Sequence, residues 1–172
     1  MIQTPPRTIL EVFESLPEGT LCQVINNQLV MSPAPTSKHQ QVLKKIFLQV
    51  NEVVERAHLG EVLFAPVDVY LNDENIYQPD IVFISRERMH ILQDRIQGAP
   101  DLVIEILSPG SKRFDKTDKK NVYESSGVKE YWIVDPESKT VFGYLLRNNT
   151  YVEIPSEAGT ISSQLLEATF HF

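Results

Sequence analysis

Cysteine is nearly absent: Cys22 is the single one in 172 residues, too few for an internal disulfide or a cysteine-based zinc site. It reads as a small core residue in a chain suited to a reducing compartment. No uninterrupted apolar run reaches the roughly 20 residues that a membrane-spanning helix needs. The opening MIQTPPRTILEVFE also lacks the basic-then-apolar pattern of a secretory signal. A cytoplasmic protein with no membrane partner is therefore expected. Positive charge is scarce as well. With 16 Lys and Arg against 23 Asp and Glu, the formal net charge is −7. That argues against a broad surface for polyanions, because nucleic-acid affinity depends mainly on neutralising phosphates. Any such contact has to be local, and the basic segment running from Lys112-Arg113 through Lys116 to Lys119-Lys120 is where it would lie. Internal repeats, low-complexity tracts, nucleotide-binding loops and haem motifs are missing too.

What is present suits one well-packed domain over residues 1–172, with 42% hydrophobic and 23% charged residues. Thr8 and Glu11 form a capping box for a short helix that should end at Pro17-Glu18-Gly19. Leu21 to Ile25 and Gln28 to Ser32 flank Asn26-Asn27, two residues that tolerate positive φ, and so read as a hairpin. Val42, Ile46, Val50, Val53, Val54 and Ala57 recur at helical spacing between Ser37 and about His58. Val62 to Phe64, Val67 to Leu71 and Ile81 to Ile84 read as strands, the last two expected as an antiparallel pair joined by NDENIYQP. The stretch SRERMHILQDRIQGAP fits either a helix or an ordered loop. After it, Leu102 to Leu107, a helix from Asp115 to Ser125 and Glu130 to Val134 make a β-α-β passage, which predicts parallel neighbouring strands. Phe142 to Leu146 and Tyr151 to Ile154 make a closing hairpin around Arg147-Asn148-Asn149. The expected class is α/β, of mixed α+β type: one mixed sheet flanked by helices.

The chemistry starts from a charge where none belongs. Glu105 interrupts the apolar run Leu102-Val-Ile-Glu-Ile-Leu107, and a carboxylate in a central strand is costly unless paired or bound to a cation. Asp80 opens a second apolar strand after Gln78-Pro79. If the two strands are neighbours, both carboxylates can converge on one hard cation such as magnesium, which prefers oxygen ligands. Asp115, Lys119 and Tyr123 follow at i, i+4 and i+8, on one helix face. Lys119 can then reach back over the strand end, where a lysine stabilises charge building on a phosphate. Each residue also has a plain reading. Glu105 could sit at an edge, Asp80 could serve turn chemistry after proline, Lys119 could be a solvated partner of Asp115, and Tyr123 and Trp132 could be core. His39, in the first turn of the long helix, could contact substrate or merely satisfy a backbone group.

Taken in order, SPAPTSKHQ around His39, QPDIVFI around Asp80, PDLVIEILSPGSKRFDKTDKK around Glu105 and Lys119, and Tyr123 followed by GVKEYWIVDP resemble a known family. It is the putative restriction endonuclease family of the PD-(D/E)XK nuclease superfamily, and the resemblance spans roughly residues 20 to 145. It implies a restriction-endonuclease-like core that cleaves DNA with Mg2+ (or Mn2+). The metal would be held by Asp80, Glu105 and the carbonyl of Ile106. Lys119 matches the family's lysine, since Leu107 stands two residues after Glu105. His39, Tyr123, Gln23, Asp101 and Asp115 are supporting candidates, Asp101 through the second proline-aspartate pair, Pro100-Asp101. Gln23 stands where the family usually has a glutamate, which implies one metal contact fewer. A homodimer is also implied, because duplex cleavage needs two centres. Two other readings stay open: a nuclease-like domain that no longer cuts and serves as a nucleic-acid or protein binding module, and a structural subunit pairing through an exposed sheet edge.

Overall fold

The computed structural model describes residues 8–108 and 115–172. The expected turn at 108–111 falls mostly outside them, and Lys112-Arg113 falls wholly outside. Thr8 caps helix α1 (Ile9–Glu14) with the full capping box to Glu11. The helix is shorter than its sequence suggests, its last turn tightening as the Leu16 amide donates to the Phe13 carbonyl three residues back. Strands β1 (Cys22–Ile25) and β2 (Gln28–Met31) form the expected hairpin. Asn26 and Asn27 adopt φ of 49° and 59°, the left-handed pair that a two-residue turn matched to strand twist requires. Helix α2 (Ser37–Arg56) buries Val42, Leu43, Ile46, Val50 and Val54 on one stripe.

The central sheet holds six strands. In spatial order they are β11 (Thr150–Ile154), β10 (Val141–Arg147), β9 (Glu130–Val134), β8 (Leu102–Ile106), β6 (Ile81–Ser85) and β3 (Gly60–Phe64). β8 and β9 run parallel, joined across by helix α3 (Asp118–Ser126), while β6 is antiparallel to both β3 and β8. Alternation along each strand divides the core in two. Ile81, Phe83, Leu102, Ile104, Trp132 and Val134 face α2 and a C-terminal hairpin, β12 (Thr160–Ser163) with β13 (Ala168–His171). Val82, Ile84, Val103, Tyr131 and Ile133 face the other way, towards Tyr123 of α3 and a second sheet.

That second sheet departs from the sequence expectation. β4 (Val69–Asn72) does not pair with β6. It turns back on β5 (Asn75–Tyr77), lies parallel to β7 (Ile96–Gln97), and the sheet order is β2-β1-β5-β4-β7. The reason lies in the loop itself: Asn72 Oδ1 accepts the Glu74 amide at 3.0 Å and the Asn75 side-chain amide at 3.1 Å. This Asx-type turn folds Asn75-Ile-Tyr back as a strand. Between β6 and β7, Arg86–Ile91 forms a 3-10 helix.

Candidate active site

The site forms where β6 and β8 begin to diverge. Their register pairs Ile81 with Ile104 and Val82 with Val103, so one further step sets Asp80 across from Glu105, on the face that carries α3. Asp80 is pinned there. Its Oδ2 accepts the Ile106 amide at 2.7 Å and lies 3.2 Å from His39 Nε2. His39 is presented by the first turn of α2, which Thr36 caps through the His39 amide.

From α3, Lys119 and Tyr123 reach back onto the strand. Lys119 Nζ donates to Glu105 Oε1 at 2.9 Å, and the Tyr123 hydroxyl donates to the same oxygen at 2.9 Å. Asp115 Oδ1 stands 3.1 Å from Nζ as a second counter-ion. Lys119 and Glu105 are only 2% and 3% exposed, so solvent screens neither of them. Burial alone would drive the lysine down, but Asp115 and Glu105 outweigh it and hold the ammonium above the ordinary lysine range. Burial pushes the Glu105 carboxyl up to about 8, against Lys119 and with the charges of Asp115 and Asp80. Both partners shift upward, which a matched pair would not do. The lysine keeps its charge, and Glu105 is the surplus acid among three carboxylates. At His39, burial lowers the pKa but the hydrogen bond and charge of Asp80 outweigh it, leaving the ring above its usual value.

Of these groups, His39, Asp80, Glu105 and Lys119 line one cavity of about 410 Å3, together with Gln23, Ile106 and an apolar wall. Gln23 is tied down within this lining. Its Nε2 donates to Ser32 Oγ and its Oε1 accepts the Gln78 amide at 3.1 Å.

The sequence matches the family described as "Putative restriction endonuclease" (Uma2) over residues 10–171. The chain belongs to that family. A crystal structure titled as a putative nuclease of DUF820 from Anabaena variabilis superimposes with a TM-score of 0.79 at 21% identity, covering 94% of this chain and 92% of that one. At that identity the likeness speaks for the fold: the Uma2 chain has the nuclease-type core its sequence led us to expect. No curated protein matches the sequence.

Does the donor set of this Uma2 member fit a divalent cation? Among the described residues, no three His, Cys, Asp or Glu groups cluster at ligating geometry. Two carboxylates do converge, and Asp80 Oδ1 and Glu105 Oε2 carry no hydrogen bond from the described residues. Ile106 lines the same cavity, and its backbone helps to raise the His39 pKa. Two carboxylate oxygens and a carbonyl, completed by water, suit magnesium, which binds through few protein ligands and keeps several waters. The residues fit.

One supporting candidate lies elsewhere. Asp101 is absent from the cavity lining and fully buried, with Lys129 at 2.8 Å, Arg88 at 3.2 Å and the Ser85 amide at 2.8 Å on its carboxylate. Its main chain meets Phe83 and accepts from Lys129 and Glu130. It clamps β6, β8 and β9 together rather than facing the pocket. Sequence reasoning passed over Asp68, a buried carboxylate that holds Arg95 and accepts Gln78 Nε2 at 2.8 Å, and thereby braces the residue just before Pro79-Asp80. The signal was the one that exposed Glu105, a lone acid among Val67, Val69 and Tyr70.

Proposed function

We propose that this Uma2 chain hydrolyses phosphodiester bonds in DNA at a centre formed by Asp80, Glu105 and Lys119 with a divalent cation, Mg2+ or Mn2+. The observation that carries the reading is the cross-strand placement of Asp80 beside Glu105, with a buried lysine fixed on the second carboxylate and, on each, one oxygen that accepts no hydrogen bond from the described residues. Asp80, Glu105 and the Ile106 carbonyl would hold the cation. Once bound, it would polarise the phosphate and make a coordinated water more acidic. The chain's own groups do the rest. Tyr123 and Lys119 together fix the Glu105 rotamer through Oε1, leaving Oε2 for the cavity. The Ile106 amide and His39 fix Asp80 through Oδ2 in the same way. Lys119, kept protonated by its two carboxylates, supplies positive charge where a phosphate oxygen becomes more negative. Such preorganised charge needs no rearrangement as the reaction proceeds.

The test is cleavage of mixed single- and double-stranded DNA with manganese or magnesium, run beside Asp80→Ala and Lys119→Ala. Loss in both variants, with circular dichroism unchanged, supports the centre. Cleavage that survives in either overturns it. A second reading, a binding module that does not cut, is favoured by Gln23, a neutral amide engaged with Ser32 and Gln78, and by the net charge of −7. Manganese binding that disappears with Asp80→Ala speaks against that module. Folded protein with no Asp80-dependent binding speaks for it.

A further inference from the structure

The cavity has more wall than a cation and a phosphate require. Beyond its polar floor it is lined by Leu21, Val30, Met31, Pro33, Pro35 and Pro66. Met31 is 68% exposed, the highest value among the large hydrophobic side chains of the described residues. Leaving apolar surface at the mouth of a charged site has a cost, and a ligand that covers it recovers that cost. Three of the six are prolines, whose fixed φ holds the wall in shape before any ligand arrives. At about 410 Å3 the cavity lies near the lower end of the roughly 300–1,000 Å3 range of pockets that enclose one small molecule.

A stacked duplex has little to offer such a wall. It presents hydrated, charged phosphates to anything lying across it, with its base faces hidden in the stack. An unpaired nucleotide has more to offer it. Its base face can leave water against Met31, Val30 and the prolines while its phosphate reaches the Asp80 and Glu105 floor, so one buried base contributes affinity that scattered lysines do not.

We infer that the cavity takes up one unstacked nucleotide, and that the substrate is single-stranded DNA or the unpaired segment of a duplex. This rests on the nuclease reading above and narrows it. The experiment measures binding rather than turnover, using full-length Asp80→Asn in magnesium, with wild-type protein in calcium as a control for the variant's folding. Three DNAs carry 2-aminopurine at one position: a single strand, the matched duplex, and a duplex in which that position is bulged. The single strand and the bulge should bind at least about tenfold tighter than the matched duplex, with a rise in fluorescence as the base leaves its stack. Met31→Ala should weaken single-strand binding about fivefold and leave the matched duplex unchanged. Equal affinity for all three DNAs without a fluorescence rise overturns the inference and leaves the nuclease reading standing. No binding to any of them overturns the nuclease reading, and this inference with it.

Discussion

Lys119→Ala is the sharpest perturbation of the buried cluster. Lys119 is the cation that ion-pairs with both Glu105 and Asp115 among the described residues, and those carboxylates are 3% and 1% exposed. Removing one partner from a buried ion pair leaves charge without compensation and typically costs about 3–5 kcal/mol. That is a large part of the roughly 5–15 kcal/mol separating folded from unfolded domains. At a urea slope of about 2 kcal/mol per molar, the unfolding midpoint should fall by roughly 1.5–2.5 M. The neutral triple variant Lys119→Met, Glu105→Gln, Asp115→Asn removes the charges together, and should return to within about 1.5 kcal/mol of the wild type, because replacing a whole buried ionic group is often neutral. Urea melts followed by circular dichroism decide the matter. A single variant that loses less than about 1 kcal/mol, or a triple variant no more stable than the single, would falsify the claim that an uncompensated buried charge governs this cluster.

Two further outcomes follow from residues outside the cavity. A Cβ on Gly143 would stand 2.3 Å from the ring of Trp132, whose indole donates to Glu130 Oε1 at 2.6 Å. Gly143→Ala should therefore cost about 1–3 kcal/mol through overpacking. Since the chain has a single tryptophan, an unchanged emission spectrum together with unchanged stability would rule out this packing. At Asp101, burial raises the carboxyl pKa, but Lys129, Ser85 and Arg88 outweigh it and hold it below its ordinary value. The folded pKa is thus lower than the unfolded one, so this contribution is complete above about pH 4 and disappears as pH falls through the folded value. Asp101→Asn should lose stability near neutrality, and its deficit against wild type should narrow below about pH 4. A deficit that stays constant down to acid unfolding would show that the ionised carboxylate is not what matters there.

Those features were legible that a local pattern determines. The asparagine pairs Asn26-Asn27 and Asn148-Asn149 announced both hairpins, and all four residues take positive φ. The stripe on α2 and the β-α-β passage came from periodicity alone. The convergence of Glu105 and Asp80 was legible only on a condition: each is a charge in an otherwise apolar strand, and the two meet if those strands are neighbours. Partner choice between distant strands was not legible. Val69–Asn72 carries no mark that says β5 and β7 rather than β6, and the turn that decides it uses an Asn72 side chain where glycine would have been the familiar cue. The hairpin Thr160–His171 was missed because Phe170 and Phe172 complete a core whose need for them arises only once α2 has packed on the sheet. Asp101 misled for the opposite reason: a proline-aspartate pair beside a strand looks the same whether its carboxylate faces a cavity or a clamp of Lys129 and Arg88.

The buried cluster differs from that clamp in a way that bears on its purpose. At Asp101, a single carboxylate meets two cations and an amide, and its pKa falls. Around Lys119, one ammonium meets two buried carboxylates while a third, Asp80, stands across the sheet from Glu105, and the Glu105 pKa rises. A cluster arranged for stability alone would balance its charges or dispense with them, as the neutral triple variant is expected to demonstrate. Asp80 has His39 as a partner at 3.2 Å, yet Asp80 Oδ1 and Glu105 Oε2 accept no hydrogen bond from the described residues, and a cavity opens above them. Under the proposed function a divalent cation would take up these two oxygens, a use that the fully engaged Asp101 carboxylate does not offer.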